Sequence, residues 1–205
     1  MNLNKLGMEL CMVTRDSLMT LEAYARQREE FRAKVMAHKK NRKVHLGKHV
    51  MLIFEDELTM RYQIQEMLRV ERIFEEDGIR DELEAYNPLI PDGSNWKATM
   101  LIEYPDVEQR RQMLTRLKGV EKRVWVQAAG CGRVYAIADE DMEREDEEKT
   151  SAVHFLRFEL TPEMIRSLKH GAALVIGIDH PAYRVAGETV GDAVRLSLIK
   201  DLRDS

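Results

Sequence analysis

"MLIEYPDVEQRRQMLTRLKGVEKRVWVQ" (Met100–Gln127) and "FLRFELTPEMIRSLKHGAALVIGID" (Phe155–Asp179) have the same grammar. Each opens with an apolar run of strand character and continues through a Pro and acidic residues at a helix start. Each then carries a Met-x-x-x-Leu-Lys core, stops at a Gly and ends in a second apolar run. Thr161 is a side-chain cap with Pro162 at the first helical position, where a missing N–H costs nothing. Gly119 and Gly171 stand where a helix terminator takes a left-handed backbone. "VWVQAAGCGRVYAIAD" joins the halves as a hairpin turning near Gly130-Cys131-Gly132. The order is βαβ, an added strand, then βαβ. This predicts an α+β fold with a mostly antiparallel sheet of two strand-helix-strand halves, a split βαβ or ferredoxin-like variant with helices on one face.

Upstream, the pattern is helical. Thr20 caps a helix over roughly Leu21–Lys40, with Leu21, Tyr24, Phe31 and Val35 on one stripe. Its basic end, His38 to Lys43, reads as a solvated terminus matched to the helix dipole. Lys43 to Glu55 reads as two short strands around Leu46-Gly47-Lys48. A strong helix follows from Glu57 to Glu76, ended at Gly78, with Met60, Ile64, Met67, Leu68 and Phe74 on its buried side. A shorter helix is expected over Ile79–Tyr86, and a last one over Asp192–Leu202. The expected organisation is a loose leader (1–13) and one domain (14–205). Within it a helical region with the short hairpin (14–96) covers or flanks the sheet (97–205).

The chain has 205 residues, 44% hydrophobic and 33% charged, with a net charge of -4. That is enough length for a core without staples. The acidic balance argues against broad nucleic-acid binding, which needs Lys and Arg to neutralise phosphates. No apolar run is long enough to span a membrane, and the N-terminus carries no secretion signal, so the expected setting is cytoplasmic. Cys11 and Cys131 have neither disulfide-framework nor metal-ligand spacing. The acidic run Asp139–Thr150 holds Glu140/Arg144 and Glu145/Lys149 at i,i+4 spacing and reads as a solvated helix or loop, with a metal or cationic-partner site as the alternative, though it lacks the order of a calcium loop.

No short motif for nucleotide, serine-hydrolase or zinc chemistry is present. The chain holds no Glu-x-x-His pair for a carboxylate di-iron site. No metal or cofactor is expected. The candidate ligand residues come from three places. Tyr62, Gln65, Glu66 and Arg69 are three or four apart on one helix face, so their side chains can meet. The connector rich in Pro, Asp and Gly then supplies Asn87, Asp92, Ser94, Asn95 and Lys97, which can fold over that face. His154 falls on the core side of its strand by alternation, and a satisfied core histidine competes there with a base or ligand. Asp179-His180 with Arg184 sits at an expected strand exit, a frequent place for sites.

Several blocks carry a resemblance: "FEDELTMRYQIQEMLRVERIFE", "DELEAYNPLIPDGSNWKATMLIEYPD", "RVYAIADED" and "GIDHPAYR". From Val13 to the last helix the chain resembles a bacterial family, domain-of-unknown-function family three-five-zero-one. Met1–Met12 fall outside the resemblance, as a tag, an extension or a start codon called early would. The resemblance implies no activity and no catalytic residues. It implies a setting, because genes of this family often lie beside those for rubrerythrin and an iron–sulfur oxidoreductase subunit. The expectation is an accessory protein of a redox or oxidative-stress system that binds a redox-protein partner or a small ligand. The alternative is a small enzyme or ligand sensor with a polar pocket between the 57–76 helix and the 87–97 loop. A strand edge in need of cover allows a homodimer.

Overall fold

The computed structural model describes residues 12–138 and 150–203; the leader before Met12 and nearly all of the acidic run, 139–149, lie outside them. The described chain divides into two compact units. One joins residues 12–41 with Glu55–Asp92; the other joins Arg42–Phe54 with residues 93–203. The β1–β2 hairpin, which the sequence reading grouped with the helical region, thus belongs to the sheet unit.

The helical unit contains α1 (Leu21–Lys40), α2 (Glu57–Glu71) and α3 (Glu76–Tyr86). Thr20 caps α1 by accepting from the Ala23 N–H at 3.3 Å. Asp56 caps α2 reciprocally. Its carboxylate accepts from the Thr59 N–H at 3.0 Å, and Thr59 Oγ1 accepts from the Asp56 N–H at 2.9 Å. Helix α2 stops short of the expected Glu76. Arg72 takes a left-handed conformation (φ 56°, ψ 40°), and its N–H closes on the Leu68 carbonyl. Phe74 therefore lies beyond the helix and is 69% exposed, while Met60, Ile64 and Leu68 are buried as expected.

Among the described residues the sheet unit contains eight strands: β1 (Lys43–Leu46), β2 (Val50–Phe54), β3 (Asn95–Ile102), β4 (Val124–Ala128), β5 (Val134–Tyr135), β6 (Val153–Glu159), β7 (Leu174–His180) and β8 (Tyr183–Thr189). Its helices are α4 (Val107–Arg116), α5 (Pro162–Lys169) and α6 (Asp192–Ile199). Pairing is antiparallel throughout, and the α+β class holds. In place of one split-βαβ sheet there are two, ordered β1-β2-β3-β6 and β5-β4-β7-β8.

The internal echo explains the difference. Each repeat is strand–helix–strand–strand, β3-α4-β4-β5 and β6-α5-β7-β8, and sends its first strand to one sheet and its next two to the other. β3 pairs β6, and β4 pairs β7. No repeat pairs its first strand with its second. The sequence reading saw β5 but missed its counterpart β8. Gly119 and Gly171 take positive φ, 78° and 95°, as expected of terminators.

The two sheets meet at both margins. Ile137 and Arg157 exchange both backbone hydrogen bonds at 2.8 Å. On the other side, the Tyr183 hydroxyl donates to the Leu46 carbonyl at 2.7 Å and accepts from the His49 N–H at 3.0 Å. Register places Leu52, Met100 and His154 opposite one another, and likewise Phe54, Ala98 and Leu156. With Val126 and Ile176 from the second sheet, the inward apolar residues form one continuous core. Burying such side chains stabilises the fold by about 1.5–3 kcal/mol each. Among the described residues no helix is long and apolar enough to cross a membrane.

Candidate ligand site

Helix α2 turns its polar residues to separate tasks. The Glu66 carboxylate accepts from the Tyr24 hydroxyl at 2.6 Å, from Arg28 Nε and Nη2 at 2.7 and 2.8 Å, and from Arg69 Nη2 at 3.3 Å. The Arg28 fork is the main reason the Glu66 pKa falls to about 2; Tyr24 and Arg69 add to it, against the opposing effect of burial. Burial, followed by the bond to Glu66, pushes the Tyr24 phenol well above its ordinary value. Tyr62 is buried against the Phe31 ring, with centroids 6.1 Å apart. These groups fasten α1 to α2. A carboxylate held so acidic is poorly matched to general-base work near neutral pH.

Gln65 and Asn87 do a different job. The Met19 N–H donates to Gln65 Oε1 at 2.6 Å, and Gln65 Nε2 donates back to the Met19 carbonyl at 3.4 Å. The Val13 N–H donates to Asn87 Oδ1 at 2.9 Å, and Asn87 Nδ2 returns a bond to the Val13 carbonyl at 3.0 Å. Two side-chain amides thus imitate strand pairing and hold the segment ahead of α1 at both ends. Val13, expected at the end of a loose leader, is buried.

Other candidates fall in the sheet unit. Asn95 and Lys97 are buried on β3, and Asn95 Nδ2 donates to Glu159 Oε1 at 3.3 Å. Ser94 is exposed in that unit, and Asp92 is exposed at the end of the helical one. His154 is buried, with Nε2 2.9 Å from the Ser151 carbonyl and 3.0 Å from Thr150 Oγ1. His180 has not left its strand. Its Nδ1 accepts from the Ala182 N–H at 3.2 Å, so Nε2, 3.0 Å from the Lys118 carbonyl, is the donor there. Asp179 points to the opposite face, accepting from Arg133 Nη1 at 2.7 Å and the Tyr135 hydroxyl at 2.9 Å. Arg184 lies opposite Asp179 in the β7–β8 register. Asp179 and His180 are sequence neighbours with no common site, because successive strand residues face opposite ways. Among the described residues no group of three or more His, Cys, Asp or Glu is placed to hold a metal ion.

A cavity of about 270 Å³ lies within the helical unit. Its lining is apolar at Met19, Leu21, Leu68, Ile73, Phe74 and Ile79 and polar at Arg15, Thr20 and Glu22. Arg15 is already engaged by Glu76, with Nε 3.1 and 3.2 Å from the two carboxylate oxygens. Sequence reasoning missed this site. The available signal was an apolar pair, Ile73-Phe74, following helix α2, together with Leu21 at the start of the α1 apolar stripe.

The comparisons with known proteins agree with one another. A crystal structure of a "novel protein of unknown function" from Burkholderia pseudomallei K96243 is similar at 57% identity with a TM-score of 0.89; the match covers 94% of this chain and 100% of that one. No curated protein matches. The family model described as "Protein of unknown function (DUF3501)" matches residues 12–202, and the chain belongs to that family.

Proposed function

We propose that this is an accessory binding protein that holds a small, neutral, apolar molecule in the cavity of its helical unit. The observation that carries the reading is the cavity itself, with apolar side chains at six of its nine lining residues. Its volume lies just below the usual ligand-pocket range of about 300–1,000 Å³, which suits a ligand of roughly one ring. Arg15 is neutralised by Glu76, and Glu22 adds a second carboxylate, so an anion would meet net negative charge. The enzyme alternative loses its best base, since Glu66 is committed to three partners. The redox setting and the cytoplasmic location rest on the resemblance and on composition; a homodimer is a separate proposal that sedimentation would test.

The test is a titration of isotope-labelled protein with fluorobenzene, followed by NMR. Saturable shifts should concentrate at Met19, Leu21, Leu68, Ile73 and Ile79, and Met19→Trp, which fills the space, should abolish them. Shifts absent from these residues, or spread evenly over both units, overturn the reading. For the redox setting, a strain lacking the gene should become peroxide-sensitive, with rescue by the wild-type gene and none by the Met19→Trp form.

A further inference from the structure

The wall of the cavity contributed by Arg15 and Met19 is a short piece of chain fastened unevenly. Its ends are firm. At one, Val13 is buried and paired through both its N–H and its carbonyl with the Asn87 amide; at the other, Leu18 is buried and Met19 is paired with Gln65. Between them Arg15–Ser17 makes one 3₁₀ turn that buries no residue. Apart from bonds within the turn, what ties Arg15 down is the ion pair with Glu76, whose side chains are 41% and 72% exposed. Exposed pairs of this kind contribute about 0–1 kcal/mol. Each end joins two hydrogen bonds to a buried apolar side chain, a far stronger attachment. The middle is therefore the weakest-held part of the segment.

We propose that the Arg15–Glu76 pair is a latch over the cavity: when it opens, the 3₁₀ turn swings out and admits the apolar ligand, and when it closes, the ligand is retained. This rests on the binding reading above. Because Arg15 lines the cavity through a polar side chain and Glu76 is not among the lining residues, the pair governs rates of entry and exit more than affinity. Its strength is ionic and solvent-exposed, so it answers to salt, which screens over about 8 Å at physiological ionic strength.

Exchange of fluorobenzene, followed by fluorine NMR on the full chain, measures both rates. Arg15→Met and Glu76→Gln should each raise entry and exit rates about two- to fivefold, the range expected of an exposed pair, with Kd and melting temperature nearly unchanged. Added salt should speed exchange in the wild type and leave the two variants unmoved. Asp77→Asn removes a neighbouring carboxylate that pairs with Arg80 at 2.9 Å, and should change neither rate. If the wild type binds and the latch variants exchange at its rate, the latch is refuted and the binding reading stands. If Asp77→Asn accelerates exchange as much, the effect is one of general charge and the latch is again refuted. If the wild type binds no fluorobenzene, the binding reading fails and takes the latch with it.

Discussion

Arg42 and Asp201 meet inside the sheet unit although 159 residues separate them. Arg42 Nη2 lies 2.5 Å from one carboxylate oxygen and Nη1 3.3 Å from the other. Arg42 Nε donates to the Phe54 carbonyl at 2.8 Å, so a side chain only 1% exposed ties the β1–β2 hairpin to the chain just after α6. Removing one member of a buried pair strands the other. Arg42→Met should destabilise the protein by about 3–5 kcal/mol. Arg42→Met with Asp201→Leu should recover most of that loss, because no charge is then left unpaired. Urea unfolding of the two variants and the wild type measures both changes.

Trp125 lies on the face of β4 turned from the core, yet it is buried. Gly177 stands directly opposite it in register, and a Cβ there would fall 2.6 Å from Trp125 Cε2 and 2.7 Å from the Val185 carbonyl oxygen. Arg133 covers the ring, its guanidinium carbon 3.9 Å from the centroid. Gly177→Ala should cost about 1–3 kcal/mol by overpacking. Adding Trp125→Leu should return part of it. Thermal melts report the first effect, and near-ultraviolet circular dichroism reports displacement of the indole.

The Glu66 cluster makes a pH prediction. Its folded pKa is about 2 against an ordinary 4.5, so the folded state binds the proton less readily than the unfolded chain. The stabilisation is fully present above about pH 4.5 and is lost as pH falls toward 2. Glu66→Gln should lower stability by about 1–3 kcal/mol at neutral pH and flatten this part of the acid limb. Unfolding curves from pH 2 to 7 would show a shallower slope in the variant; parallel curves would assign the acid limb to other groups.

The two amide clamps should behave alike. Gln65→Leu and Asn87→Leu each remove a pair of hydrogen bonds to the segment ahead of α1 and leave backbone groups unpaired. Each should speed hydrogen exchange at the backbone N–H it releases, Met19 or Val13, by about tenfold or more. Exchange in β3, β4, β6 and β7 should not change.

Local patterns made the elements readable. Leu21–Lys40 was legible because Thr20 opens an apolar stripe; the repeats were legible because Thr161, Pro162, Gly119 and Gly171 carry local backbone chemistry. Partnership between distant strands was not legible. Met100 reads the same whether its neighbour is a strand of its own repeat or His154 of the other, and the difference decides between one sheet and two. β8 was missed because Pro181 after Asp179-His180 suggested an exit, whereas Pro181-Ala182 is the tight turn of a hairpin pairing His180 with Tyr183. Arg42 was hidden in a basic run that looks solvated. Gln65 and Asn87 read as ligand candidates in the sequence; each bonds backbone of this same chain, and no spacing rule announces that.

The exchange of strands between the repeats has a further consequence. A fragment ending at Ala138 and another beginning at Thr150 would each hold strands whose main partners sit on the other piece. Neither should complete its sheets alone, and mixing them should restore both sheets by association. The linker between the repeats thus sets how readily the halves meet, and the crossed pairing of β3 with β6 and β4 with β7 sets what they build.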